Sequence, residues 1–425
     1  MKKLKNILTS VLGGGSVALF FVIALEIMIM ISPFAFFFYS VFNPVYKFID
    51  QYALTRWLTG FFLPHMILPR TLFLKTVRIS GSVFFIVGAL TFIICALQVY
   101  MGKIFKWGVA RAGLYKYIRH PQYLALALWG TGMAVLWPRF IVLASLSVML
   151  ILYYFLASDE EKRMLEQYGE SYLSYMKITG MFLPRSIEKY FYLPRNLVPE
   201  YLVKFVAIPA AIIISVLGTG FMLRQITLNS LPFKSEYNIT LISMLPEDDK
   251  LVRDTLDEII RNRMEGQLAF VSDDKDYLGY LMPVDYIMQG MIANTDDDFH
   301  LYKQHHTVNM IADWVLHPFK HLRTPPSAMM AKMHHMDPSV ARRHHCPIGI
   351  NDPSLDHASC PYRRIILVEI DHNFRNHVAG KELMAFNAAR VPSSLIDINT
   401  QTGEIINARE LEKTTAWKDV PTPAI

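Results

Sequence analysis

Two short clusters hold the residues best suited to chemistry. The first runs Gly113-Leu114-Tyr115-Lys116-Tyr117-Ile118-Arg119-His120-Pro121-Gln122-Tyr123; the second begins Asp159-Glu160-Glu161 and continues through Tyr168-Gly169, Tyr172 and Tyr175. Pro121 suits the first turn of a helix, where free amides together with Arg119 would hold a carboxylate. Glu160 and Glu161 accept from hydroxyl and ammonium groups, while Tyr115, Tyr117, Tyr123 and Tyr168 offer aromatic faces that attract cations. A zwitterionic nucleoside carrying a positively charged sulfur matches this combination. The same residues also read as a salt-bridged cap at a membrane surface, with the tyrosines in an aromatic belt.

Such clusters meet only if the elements between them bring them together. The chain has 425 residues, 52% of them apolar. Long apolar runs fill it to about residue 223, after which charged and turn-forming residues mix as in a water-soluble domain. Stretches 17–42, 79–101, 122–137, 140–157 and 203–223 are candidates for membrane-crossing helices. Only Pro138 and Arg139 separate the third from the fourth, so these two form an antiparallel hairpin that returns the chain to the side it left. The first carries Pro33 and Glu26, reads as a retained anchor rather than a signal peptide, and is long enough to kink or divide. The expected fold is a multi-pass α-helical membrane domain, about five transmembrane helices over residues 1–223, followed by a small α+β soluble domain over 224–425.

Basic residues in the short loops set the expected orientation. Lys2, Lys3 and Lys5, then Lys103, Lys106, Arg111, Lys116 and Arg119, then Lys162, Arg163, Lys177, Arg185, Lys189 and Arg195 fall on one side. Lys47, Arg56, Arg70, Lys75 and Arg139 fall on the other. The chemical clusters therefore face the cytoplasm, and residues 224–425 emerge on the opposite, periplasmic or extracellular, side. The apolar piece 58–68 in the first outer loop reads as a re-entrant or interfacial segment. A net charge of +6 concentrated beside the spans points to anionic lipid headgroups rather than nucleic acid.

Arg-His-Pro-x-Tyr, a helical hairpin, then Glu-Glu with Tyr-Gly-x-x-Tyr-x-x-Tyr resembles the isoprenylcysteine carboxyl methyltransferase and phospholipid N-methyltransferase group of membrane enzymes, over residues 113–183. The resemblance implies an S-adenosylmethionine-dependent methyltransferase acting on a lipid or other apolar acceptor. It also implies that Arg119, His120, Pro121, Tyr123, Glu160 and Glu161 bind the cofactor. His120 is the nearest candidate for a catalytic base, or it hydrogen-bonds the cofactor. One position departs from the family pattern: Ala125 stands where glycine is usual. A rival reading is a non-catalytic membrane subunit that keeps the fold while its soluble domain docks on a larger membrane complex; a sterol-reductase-like enzyme is a weaker third.

In the soluble part, 237–245 and 364–370 read as strands, 247–264 as an amphipathic helix with Leu251, Leu256, Ile259 and Ile260 on one face, and 395–406 as a hairpin turning near Thr402-Gly403. Residues 325–361 read as a long irregular excursion. All of the 14 histidines except His65 and His120 fall between His300 and His377. The pairs His305-His306, His317 with His321, His334-His335 and His344-His345, with Met329, Met330, Met333 and Met336 among them, suggest a transition-metal site for copper, zinc or iron. A polar surface that meets a partner protein is the plainer alternative. Cys95, Cys346 and Cys360 match no paired zinc-ligand spacing.

Overall fold

The computed structural model describes residues 48–105, 109–191, 199–284, 286, 289–290, 292–295, 361–371, 377–386, 388–415 and 425. Two compact units emerge. One contains residues 71–226 and the other contains residues 48–70 together with the described residues from 227 onward. The second unit thus joins the chain beyond residue 226 to a segment that precedes the first long helix.

In the first unit, α1 (Leu72–Ile104) is followed by α2 (Pro121–Leu136), α3 (Phe140–Tyr168), the short α4 (Glu170–Ile178) and α5 (Ile208–Ser230). Leu72–Gly102, Phe140–Tyr168 and Val203–Ser230 are the three helical stretches long and apolar enough to cross a membrane among the described residues. Three of the five expected spans are therefore met by this measure among the described residues. Stretch 17–42 lies outside the described residues, and α2 has 16 residues, about 24 Å against a hydrocarbon core of about 30 Å.

The expected hairpin forms, with Trp137, Arg139 and Phe140 buried at its turn, yet α2 packs mainly on α1. Glycine makes that contact close. A Cβ on Gly88 would fall 2.4 Å from the Trp129 nitrogen, and one on Gly132 would fall 2.3 Å from the Phe85 nitrogen, so the two backbones touch at two levels. The outer side of α1 exposes Ile79, Ile86, Leu90, Ile94 and Leu97, as a lipid-facing surface does. Pro209 has no N–H for Phe205 and its ring crowds that carbonyl; the widened π turn Val203–Ala207 lies where this strain falls.

Among the described residues the second unit holds a six-stranded sheet in sequential order: β1 (Lys234–Glu236), β2 (Ile239–Ser243), β3 (Asp276–Pro283), β4 (Tyr362–Asp371), β5 (Ala389–Asn399) and β6 (Ile405–Glu410). All neighbours are antiparallel except β2 and β3, whose parallel pairing requires the crossover through α6 (Leu251–Met264). Val252, Leu256, Ile259 and Ile260 of α6 pack on Leu241, Tyr277, Leu281, Ile365, Leu367, Ile396 and Ile398. The strands and helix expected from sequence are thereby present, including the hairpin, whose turn has Gly403 at φ 75°.

The piece 58–68 is not a membrane segment. Phe61, Phe62, Met66 and Ile67 are buried within the sheet unit, and the Leu68 amide donates to the Met244 carbonyl at 3.0 Å. Arg70 then donates to Ser243 O at 2.7 Å and to Asp249 Oδ1 at 2.9 Å. A short apolar run signals burial without saying whether lipid or protein provides it.

Candidate active site

The site is assembled where the start of α2, the end of α3 and the chain after α4 converge. α3 is 29 residues long, so its apolar portion spans a bilayer core and its last turns, with Glu160 and Glu161, project beyond it. Gly169, at a positive φ of 51°, ends α3 and starts α4 in a direction that a side chain would resist. The chain beyond α4 then returns to the start of α2. Arg119 N donates to Gly180 O at 2.8 Å, His120 N to Met181 O at 3.1 Å, and Gly180 N to Tyr117 O at 3.2 Å, a short parallel bridge centred on Ile118 and Gly180.

Side chains complete the junction. Arg119 Nε donates to Glu161 Oε1 at 2.5 Å, and its Nη1 donates to the Thr179 carbonyl at 2.5 Å. His120 stands between both carboxylates, Nδ1 3.4 Å from Glu160 Oε2 and Nε2 3.4 Å from Glu161 Oε1. Tyr123 donates its hydroxyl to Glu160 Oε1 at 3.1 Å. Pro121 is the first residue of α2 and is buried. All six residues singled out for cofactor binding are therefore neighbours.

Their exposures differ in a way that separates their tasks. Arg119 and Glu161 side chains are 5% and 13% exposed, whereas Glu160 is 43% exposed. The first pair is committed to internal bonds; Glu160 keeps lone pairs free to accept from a bound molecule. Burial draws the His120 pKa down, but the carboxylates of Glu160 and Glu161 outweigh it and hold the imidazole above its ordinary value. Burial likewise pushes the Tyr115, Tyr172 and Tyr175 phenols up, leaving them neutral.

Sequence reasoning missed Thr179, Gly180 and Glu188, which together with the motif residue Tyr175 support the junction. Tyr175 donates to the Tyr115 carbonyl at 2.5 Å, Thr179 to the Tyr175 carbonyl at 2.7 Å, and Glu188 accepts from Met181 N at 2.9 Å. Gly180 is obligatory in its place, because a Cβ would fall 1.8 Å from the Leu183 carbonyl oxygen. A Thr-Gly step ahead of Phe182-Leu183-Pro184 was the available signal. Of the aromatic faces proposed for cations, Tyr115 is buried, while Tyr117 and Tyr168 are exposed. Ala125 is wholly buried, with its carbonyl against Gly88 of α1.

With the two halves of the motif joined in this way, the comparison with known families bears on the helices that carry them. The isoprenylcysteine carboxyl methyltransferase (ICMT) family model matches residues 82–166. That segment is ICMT-like. The matched residues run from α1 into the last turns of α3 and include Arg119, His120, Pro121, Tyr123, Glu160 and Glu161. None of the curated proteins and none of the solved structures compared with the chain matches it.

Two buried polar atoms near this junction, Tyr115 Oη and Tyr153 Oη, have no hydrogen-bond partner among the described residues. Buried polar atoms are ordinarily paired, so orphans of this kind suit a bound molecule. An imidazole, two phenols and a half-exposed carboxylate fit a zwitterionic sulfonium nucleoside. The histidines expected to hold a metal, His305, His306, His317, His321, His334, His335, His344 and His345, lie outside the described residues. Among the described residues no group of three His, Cys, Asp or Glu side chains is placed to hold a metal ion.

Proposed function

We propose that the membrane unit is an S-adenosylmethionine-dependent methyltransferase whose acceptor is a lipid or another apolar molecule. The observation that carries this reading is the meeting of Arg119, His120 and Tyr123 with Glu160 and Glu161 at one end of α2 and α3, within the segment matched by the ICMT family model.

S-adenosylmethionine supplies an electrophilic methyl carbon on a positively charged sulfur. Glu160 accepts from its hydroxyl or ammonium groups, and the free amides of the first turn of α2 meet its carboxylate. Arg119 and Glu161 hold the two halves of the site in register. Position matters more than acid–base power in such a displacement. His120 lies between two carboxylates that favour its proton, so it serves better as a fixed donor to the cofactor than as a base. A carboxylate acceptor needs no base; an amine has to arrive deprotonated. The acceptor approaches between helices from the bilayer.

The reading also assigns the site to the cytoplasmic side and residues 224–425 to the other, from the basic residues named above.

The test is transfer of tritium from methyl-labelled S-adenosylmethionine into the lipid-extractable fraction of membranes containing the chain. Label should appear with the wild type and fall sharply with Glu160→Gln. Cofactor binding without transfer to any extractable acceptor would favour the non-catalytic subunit instead.

A further inference from the structure

We propose that Tyr153 Oη is the protein atom facing the sulfonium and its methyl group, so that this phenol recognises the charged form of the cofactor. The inference rests on the reading of the membrane unit as a methyltransferase and adds a residue outside the motif.

Tyr153 lies in the apolar part of α3, is 3% exposed, and its hydroxyl has no hydrogen-bond partner among the described residues. Seven residues separate it from Glu160, two helical turns, so both lie on nearly the same face with Tyr153 about 10 Å deeper toward the bilayer. Its ring stacks on Tyr123, with centroids 5.2 Å apart and planes 25° apart, and Tyr123 in turn donates to Glu160. A line of aromatic groups thus runs from the half-exposed carboxylate at the surface to an unpaired oxygen within the membrane layer.

That direction is the one the reaction needs. The cofactor's hydroxyl and ammonium groups belong at the wet end with Glu160, whereas its methyl group has to meet an acceptor that comes from lipid. A phenol oxygen presents its lone pairs to an electropositive sulfonium methyl, and the ring's face is attractive to the same charge. Tyr115 Oη, the other orphan phenol, sits in the loop before α2, on the wet side of the site. Tyr153 is therefore the group positioned to distinguish the cationic substrate from S-adenosylhomocysteine, the neutral thioether left after transfer.

Calorimetric titration of the full chain in nanodiscs with S-adenosylmethionine and with S-adenosylhomocysteine tests this. Tyr153→Phe keeps the ring and its stack on Tyr123. It should weaken S-adenosylmethionine binding roughly tenfold, as expected for loss of a contact to a charged group, and change S-adenosylhomocysteine binding less than about twofold. Retained S-adenosylhomocysteine affinity also reports that the variant is folded. Equal weakening of both, or no change in either, overturns the inference. Failure of the wild type to bind either compound instead removes the methyltransferase reading, and the role of Tyr153 with it.

Discussion

Arg119 Nε lies 2.5 Å from Glu161 Oε1, joining residues 42 apart in sequence across the full length of the α2–α3 hairpin. Both side chains are nearly buried. A buried pair of this kind contributes little over an apolar pair of the same shape, but losing one partner strands the other. Arg119→Met should therefore destabilise the protein by about 3–5 kcal/mol, read as a lowered melting temperature in detergent. Arg119→Lys should rescue it only in part, since the fork that reaches both Glu161 and the Thr179 carbonyl is lost. An unchanged melting temperature for Arg119→Met would remove the pair from the account.

Gly180→Ala tests the bridge behind that pair. The added methyl meets the Leu183 carbonyl and the Glu188 carboxylate, so the strand carrying the acceptors of Arg119 N and His120 N has to move. A loss of about 1–3 kcal/mol is expected from overpacking, with cofactor affinity falling in parallel. Wild-type stability and affinity together would show that the chain after α4 does not hold the site.

The imidazole of His120 gives a pH dependence of defined sign. Its folded-state pKa is held above the ordinary value of about 6.5. The stability it contributes is therefore fully present below the unfolded pKa and is lost as pH rises through the folded one. The difference in melting temperature between wild type and His120→Gln should be largest in mild acid and shrink toward alkaline pH. A difference that grows with pH would reverse the assignment.

Much of the site was legible because its residue types are tied to sequence order. Arg119-His120-Pro121 marks a helix start, Glu160-Glu161 marks where an apolar helix leaves the membrane, and a two-residue turn folds one onto the other. Gly180, Thr179 and Glu188 were not legible, because each acts through the nonlocal bridge between Ile118 and Gly180. In the sheet unit, α6 and the β5–β6 hairpin announced themselves by period and turn chemistry. β3 did not: it is buried along its whole length, so Asp276–Pro283 shows no alternation to read. Residues 58–68 were ambiguous for a related reason, since the burial of Phe61, Phe62, Met66 and Ile67 against protein leaves the same apolar signature as burial in lipid. The three long apolar helices and the α2–α3 hairpin were expected, but the packing of α2 on α1 was not legible, because the glycines that allow it act only in three dimensions.

The central claim is that Glu160 and its neighbours form a cofactor site, and direct titration of the purified full-length chain with S-adenosylmethionine measures it. Glu160 is half-exposed, accepts from Tyr123 and faces His120, and glutamine keeps its shape, so Glu160→Gln should leave folding intact. Saturable binding by the wild type, weakened about tenfold or more in Glu160→Gln through loss of a charged acceptor, is the expected result. No binding by the wild type, or equal affinity in the two proteins, would contradict the account.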